Sequence, residues 1–229
     1  HRGRPYEERT GDGTWQAQPD LLFAGQLTRP LVLRSRGEVA VLAVRFTPTG
    51  AWAFAGRSMA SCTDRRVALA DLHGARATDD LRARLGAARD TPARLTVLAG
   101  YVHAQIALRE FRRDAALERC VDRLHASEGR VALAELCALA DLGERQLQRR
   151  FAEVVGIAPR TFAVIVRLRR VFDVLRDAPW STWSERAQAA GFFDHPQMAR
   201  DFRRLLGRAP SEWAKRRGGI ATSLVDAAG

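Results

Sequence analysis

The chain has 229 residues, of which 46% are hydrophobic, so it is long enough for two domains with apolar cores, and wholesale disorder is excluded. Its 37 lysines and arginines outnumber its 26 aspartates and glutamates, which gives a formal net charge of +11 and a sequence pI near 11.1. This excess favours a polyanionic partner, nucleic acid above all, although a merely basic surface explains the charge alone equally well.

The cysteines indicate the redox environment in which the protein is found. Cys62, Cys120 and Cys137 are far apart and form no Cys-x-x-Cys pair, which predicts a reducing cytoplasm, no disulfide framework, no zinc site and no cofactor. No apolar run approaches the roughly 18–20 residues of a membrane span, so we expect no membrane partner. The chain shows no signal peptide and begins at His1 rather than Met, so we expect further residues to precede it.

The N-terminal part reads as β-rich and then helical. After a polar stretch over residues 1–19, turn-forming residues separate short apolar runs. These runs predict strands at Leu21–Ala24, Leu31–Leu33, Val39–Phe46 and Ala51–Ala55. Leucines at helical spacing predict helix between Ser58 and Arg89. We therefore predict a first, regulatory domain over residues 1–93.

A helical connector is predicted over residues 94–116. Its apolar residues between Arg94 and Phe111 follow one face of a helix. This helix closes the first domain's core, joins the two domains, or pairs with a second copy in a homodimer; core closure is favoured. Residues 117–217 are predicted to be wholly helical, and residues 218–229 to be a flexible tail.

A pattern of thirteen residues occurs twice, 51 residues apart, at Leu147–Pro159 and Met198–Pro210. Such an internal repeat indicates one supersecondary unit used twice. Five pairs are identical: Arg149/Arg200, Phe151/Phe202, Gly156/Gly207, Ala158/Ala209 and Pro159/Pro210.

The first copy predicts a helix-turn-helix unit. A helix over Ala132–Ala140 is followed by the turn Asp141-Leu142-Gly143 and by a helix over Glu144–Val155. Inward spacing of Leu147, Phe151 and Val154 leaves the basic and amide side chains on the opposite face. A short helix, a tight turn and an outward Arg/Gln face are typical of a DNA-reading unit.

The second copy repeats this organisation. A helix over Trp183–Ala190 precedes the turn Gly191-Phe192-Phe193, and Asp194 is a good N-cap for the next helix. Met198, Phe202 and Leu205 are predicted to face inward. The turn is one residue longer than in the first copy, and a long helix over Thr161–Arg176 is predicted to separate the two units.

A purely structural interpretation covers part of the repeat. Phe151, Phe202 and the two Gly-x-Ala-Pro ends are scaffold, but the outward Gln148, Arg149 and Arg200 contribute little to a core, so base or phosphate contact is favoured for them. His195 is equally well explained as a solvated helix-start residue. The remaining histidines show no metal-ligand spacing.

Residues 117–217 resemble the DNA-binding domain of the AraC/XylS family of bacterial transcription regulators. The resemblance is carried by Leu147–Phe151, Gly156–Pro159, Gly191–Asp194 with Met198–Phe202, and Gly207–Trp213. It implies two helix-turn-helix units on one chain that enter successive major grooves of double-stranded DNA, with reading helices one helical turn, roughly 34 Å, apart. It also implies RNA polymerase as a partner and no enzymatic activity.

The resemblance implies base contacts from the first reading helix and, for the second, contacts that are weaker in base readout. Pro196 and Ala199 offer no side-chain hydrogen bonds, and Arg186 stands where the family buries an aliphatic residue, so we expect this unit to pack loosely or to turn the Arg186 stem outward. The predicted DNA-contacting residues are Arg145, Gln146, Gln148, Arg149, His195, Pro196, Ala199, Arg200 and Arg203.

The N-terminal part is more faintly similar to a small sensor-like domain. The matching stretches are Gly25–Pro30, Phe46–Gly50 and Thr63–Arg65. The resemblance implies a cupin-like half-barrel, without its opening strands, that binds a small-molecule effector; an ordinary apolar core around Trp52 and Phe54 is favoured over a ligand pocket. The predicted fold class is thus two-domain α+β, with a β-rich sensor domain and an all-α tandem helix-turn-helix domain.

Two other functions compete with a sequence-specific regulator. A DNA-repair alkyltransferase shares the helical domain but needs a cysteine cluster that holds zinc, which Cys62 alone does not supply. A non-specific nucleic-acid binder would bind all duplexes with equal affinity.

Overall fold

The computed structural model describes residues 2–3, 5–109 and 113–215. The predicted tail, 218–229, and residues 216–217 of the predicted DNA-binding domain lie outside this range. The chain forms two compact units. Unit 1 comprises the residues up to Leu27, Leu31–Asp114 and Arg150–Ile157; unit 2 comprises Thr28–Pro30, Ala115–Arg149 and the residues from Ala158 onwards.

The described part of unit 1 contains short antiparallel strands. They are β1 (Arg2–Gly3), β2 (Glu7–Arg9), β3 (Trp15–Ala17), β4 (Leu22–Ala24), β5 (Leu33–Arg34), β6 (Val39–Ala40) and β7 (Arg66–Ala68). They pair as β1–β6, β3–β2–β5 and β4–β7. The predicted α+β class is confirmed, whereas the cupin-like half-barrel stays a prediction.

The polar N-terminal stretch holds a hairpin that the sequence analysis missed. Strands β2 and β3 pair with Glu7 opposite Ala17 and Arg9 opposite Trp15. Gly13 turns the chain with φ +87°, and hydrogen bonds from Thr10 and Thr14 lower the pKa of Asp12 to about 2. The Asp12-Gly13 pair is a known hairpin signal and would have predicted this turn.

Three predicted strands are wrong in whole or in part. The one predicted over Leu31–Leu33 shares only Leu33 with β5. The stretch Ala51–Ala55 lies in helix α1 (Gly50–Ala55), because alanine favours helix and Gly56 closes the helix in the left-handed conformation at φ +64°. Of the strand predicted over Val39–Phe46, only Val39–Ala40 is a strand, and it pairs with β1.

The core of unit 1 lies between the strands and four helices: α1, α2 (Leu69–His73), α3 (Ala75–Ala87) and α4 (Thr91–Ala107). Asp90 caps α4 by accepting a hydrogen bond from the amide of Ala93 at 2.8 Å. Tyr101 and Val102 of α4 are buried in the same cluster as Phe23 and Phe54. The predicted connector helix therefore closes this core.

Unit 2 contains helices whose bounds agree closely with the predicted ones. They are α5 (Ala115–Ala126), α6 (Leu133–Ala140), α7 (Glu144–Val155), α8 (Pro159–Asp177), α9 (Trp183–Ala189), α10 (His195–Leu206) and α11 (Pro210–Lys215). The C-terminal half of α7 packs in unit 1. Helices α6 and α7, and again α9 and α10, form the two helix-turn-helix units, with α8 between them.

The repeated residues are scaffold in both copies. Phe151 and Phe202 are fully buried, and Pro159 and Pro210 are buried at the starts of α8 and α11. Glycine is required after each reading helix: a Cβ at Gly156 (φ +96°) would lie 3.2 Å from the Met59 carbonyl oxygen, and one at Gly207 (φ +75°) would lie 2.7 Å from the Pro30 ring.

Candidate nucleic-acid interface

The first turn orients α7. Asp141 adopts the left-handed conformation at φ +54°, and the amide of Leu142 donates to the carbonyl of Cys137 at 3.1 Å. Gly143 begins the next helix, since its carbonyl accepts from the amide of Leu147 at 2.9 Å. The Gly143 amide donates to Oε1 of Gln146 at 3.4 Å, so this glutamine caps the helix that carries it.

Helix α7 exposes the face that the sequence analysis singled out. Leu147 and Phe151 are fully buried, and the outward side chains are exposed. Gln148 donates to Oε1 of Glu144 at 3.0 Å, one turn earlier. The four exposed candidate residues on α7 are Arg145, Gln146, Gln148 and Arg149. Their contact with DNA stays a prediction.

The turn of the second helix-turn-helix unit begins like that of the first but leads into its reading helix in a different way. Gly191 takes the left-handed conformation at φ +76°, and the buried Phe192 donates its amide to the carbonyl of Ala187 at 2.9 Å. Asp194 caps α10 by accepting from the amide of Gln197 at 2.6 Å. Oε1 of Gln197 accepts from the amide of Phe193 at 3.0 Å. The capping role of both glutamines is a feature that sequence reasoning missed.

Helix α10 presents fewer hydrogen-bonding groups than α7. Pro196, Arg200 and Arg203 are exposed, whereas His195 and Ala199 are half-buried. Only the two arginines among the exposed candidates carry side-chain donors. The face is therefore basic but poor in groups that distinguish bases by hydrogen bonding.

The unpaired arginines of unit 2 cluster near the two reading helices. Elsewhere in the unit arginines are engaged, as Arg123 is with Glu135 at 2.5 Å and Arg176 with Asp173 at 3.2 Å. Within the described part of unit 2, the arginines with neither a hydrogen bond nor an ion pair are Arg145, Arg149, Arg160, Arg200, Arg203 and Arg208. Four lie on α7 and α10, Arg208 directly follows the glycine that ends α10, and Arg160 is the second residue of α8. This arrangement leaves uncompensated positive charge for a polyanion.

Arg186 corrects one expectation. The loose packing or outward stem predicted for this side chain is wrong, because only 5% of the residue is exposed. Its guanidinium donates to the Ser181 hydroxyl at 3.0 Å and to the Pro179 carbonyl at 2.8 Å, and lies 4.6 Å from the Trp183 ring centroid. The long stem replaces the aliphatic side chain, and the loop before α9 satisfies the buried donors.

The described residues form neither a membrane-spanning helix nor a metal-binding cluster. Among the described helices, none is long and apolar enough to cross a bilayer. Over the same range of the chain, no group of three or more His, Cys, Asp and Glu side chains has an arrangement that could hold a metal ion. Cys62 and Cys120 are buried, and Cys137 is half-buried.

Two models of known protein families match the chain, one in each of its end regions. Residues 136–216 match the family model of a helix-turn-helix domain, and residues 1–68 match that of a domain of unknown function (DUF6597). No curated protein matches the chain.

Two solved structures are similar to part of the chain. A probable AraC family transcriptional regulator from Rhodopseudomonas palustris CGA009 is 29% identical over 46% of this chain and 99% of its own, with a TM-score of 0.41. The DNA-binding domain of AdpA, a global transcriptional factor solved in complex with a target DNA, is 24% identical over 46% of this chain and 96% of its own, with a TM-score of 0.37.

The family match covers α7, α8, α9 and α10, which are the elements that carry the repeat. It includes both reading helices and the arginines on them. Residues 136–216 therefore match a helix-turn-helix domain, and the resemblance seen in the sequence is confirmed to that extent for this C-terminal region.

Proposed function

We propose that the protein is a sequence-specific, DNA-binding regulator of transcription that acts in the bacterial cytoplasm, with its two reading helices in successive major grooves. The observation that carries this proposal is the set of unpaired arginines on α7 and α10, together with Arg208 directly after α10 and Arg160 at the start of α8. Exposed guanidinium groups suit both phosphate oxygens and guanine edges. The role is binding, without catalysis.

The two helix-turn-helix units make different kinds of contact with DNA. Arg145, Gln148 and Arg149 give α7 several outward hydrogen-bonding groups, so this helix is the main reader. Gln146 joins them through its amide nitrogen, since its oxygen accepts from the helix start. Helix α10 contributes His195, Pro196, Ala199, Arg200 and Arg203, of which the arginines grip phosphates.

Selection of bound duplexes from a random pool tests sequence specificity. We expect one preferred sequence with two half-sites about one helical turn apart. We also expect the affinity to fall about 10³- to 10⁵-fold between 50 and 200 mM salt if about six to ten phosphates are contacted. Equal affinity for all duplexes would instead favour the non-specific binder, and a flat salt response would contradict phosphate contact.

The second element of the proposal is that the N-terminal part of the chain controls DNA binding. Within unit 1, the hydroxyl of Thr63 donates to the carbonyl of Gly156 at 2.5 Å, directly after α7. The guanidinium of Arg150 lies 4.8 Å from the centroid of the Trp52 ring and pairs with Asp114 at 2.8 Å. The contacts of Thr63 and Trp52 support a role for the residues before α4 in holding the C-terminal half of α7, which belongs to the same unit. The proposed input is a small-molecule effector, and the proposed protein partners are RNA polymerase and a second copy of the chain.

A substitution at Thr63 tests whether its hydrogen bond to Gly156 affects DNA binding. Thr63→Val keeps the shape of the side chain and removes its donated hydrogen bond to Gly156. We expect the affinity for the selected duplex to change, with the preferred sequence unaltered, in a titration by fluorescence anisotropy. Thr96→Val is the matched control, because the Thr96 hydroxyl bonds only within α4, at 3.1 Å. Equal affinities for the two variants and the unmodified protein would overturn the role of the contact.

A further inference from the structure

Phe193 is the additional residue of the second turn. The amides of Leu142 and Phe192 close their turns in the same way, and Gly143 and Asp194 each begin the following helix. Matching these positions leaves Phe193 without a counterpart in the first unit. The insertion that lengthens the second turn is therefore a phenylalanine.

This ring does not stabilise the fold. A hydrophobic residue directly before an N-cap usually packs against the fourth residue of the helix, which here is Met198. Met198 is fully buried, but Phe193 is 91% exposed, so the usual contact is not made. Its neighbour Phe192 is 4% exposed and supplies the apolar anchor of the turn. An exposed phenyl ring at this position is thus left for a partner.

The position of the ring indicates what the partner is. Phe193 stands at the N-terminal end of α10, the end from which a recognition helix approaches base edges. The same helix exposes Arg200 and Arg203, which lack acidic partners among the described residues, so a polyanion is the matching surface. The apolar group that the major groove displays is the 5-methyl of thymine.

We propose that Phe193 contacts the 5-methyl group of a thymine in the half-site of the second unit. This inference rests on the proposed function and adds a base-reading residue to it. It gives α10 a way to select a base without hydrogen bonds, in keeping with the apolar Pro196 and Ala199 on the same helix. The second unit then reads thymine through an apolar contact while its arginines hold the phosphates.

Removing the methyl group and the ring, singly and together, tests the contact. Each thymine of the selected duplex is replaced by deoxyuridine, which lacks only the 5-methyl group, and binding is measured for the unmodified chain and for Phe193→Ser. We expect one thymine in the second half-site at which the unmodified chain loses about fourfold in affinity, the effect of burying one methyl group. At that thymine, Phe193→Ser should lose no further affinity when the methyl group is removed.

Two measurements separate this contact from other causes. Trp180→Ser removes an aromatic ring that is 82% exposed in the α8–α9 connection, and it should keep the full response to deoxyuridine. Phe193→Ser should leave the unfolding midpoint and the salt dependence of binding unchanged, because the ring is exposed and uncharged.

The outcomes distinguish the two proposals. A random-pool selection without any preferred sequence would defeat the proposed function and this inference together. A preferred sequence with independent losses from deoxyuridine and Phe193→Ser at every thymine would defeat the inference alone. So would a change in the sedimentation of the DNA-free protein on Phe193→Ser, because it would assign the ring to contact between copies of the chain.

Discussion

The two helix-turn-helix units share a scaffold and differ in the surface that the scaffold presents. Phe151 and Phe202 occupy equivalent, fully buried positions, and each reading helix ends at a glycine with positive φ. Outside the core, Gln148 of α7 corresponds to Ala199 of α10, and Arg145 corresponds to Pro196. Packing constrains the buried positions of a duplicated unit, so the exposed positions are the ones that can diverge in function.

The strongest test of the shared scaffold is the removal of each buried phenylalanine. Phe151→Ala and Phe202→Ala should each lower the free energy of unfolding by about 3–5 kcal/mol, because each leaves a cavity in a packed core. Urea denaturation followed by circular dichroism measures both. Phe193→Ala, at an exposed ring, is the control and should change the stability little. A cost below about 1 kcal/mol at one position would show that the two scaffolds are not equivalent.

The contrast between the reading faces is tested by the identical pair Arg149 and Arg200. Arg149→Ala should cost about 1–3 kcal/mol on the selected duplex and relax the preference for one base, as expected for a bidentate base contact. Arg200→Ala should weaken binding to all duplexes by the same factor. It should also reduce the steepness of log affinity against log salt concentration by about one, as expected for a phosphate contact. Quantitative titration over a panel of single-base variants separates the two patterns.

Arg176→Ala is the matched control for both, since Arg176 is paired with Asp173 on α8. If Arg200→Ala relaxes base preference as strongly as Arg149→Ala does, the division into a main reader and a phosphate-gripping helix is wrong.

The smallest expected effect concerns the helix starts. Asp194 caps α10 with its side chain, whereas Gly143 has no side chain with which to cap α7. Asp194→Ala should lower the free energy of unfolding by about 1 kcal/mol, and Asp194→Asn should keep most of the stability, because asparagine also caps well. Thermal unfolding of the three proteins measures this difference. Equal losses for both variants would indicate that the charge of Asp194, rather than its capping hydrogen bond, matters.

The helices of unit 2 follow from the sequence because local signals agree there. Helix α7 has the predicted bounds, since Leu147, Phe151 and Val154 repeat at helical spacing between a turn and the cap at Gly156. The outward face of α7 was predictable for the same reason. Which of those exposed residues touch DNA is not set by the fold, and this stays a prediction.

Unit 1 was harder to predict because its strands are two or three residues long. An alternation of period two needs more residues than this to be recognised. The alanines around Trp52 and Phe54 alternate with aromatic residues as in a strand, yet they form α1. Arg186 shows a different limit: its type predicted exposure, but the acceptors that bury it lie in a loop whose path the sequence does not reveal.

The two glutamine caps fix the orientation of their own side-chain amides. In Gln146 and Gln197 the carboxamide oxygen accepts from a backbone amide of the preceding turn, which directs the oxygen toward the helix start and the NH₂ group away from it. A glutamine held in this orientation presents its NH₂ group to acceptors, such as a phosphate oxygen or N7 of a purine. Each glutamine thus contributes a hydrogen bond to the start of its helix, and this bond orients its own side-chain amide.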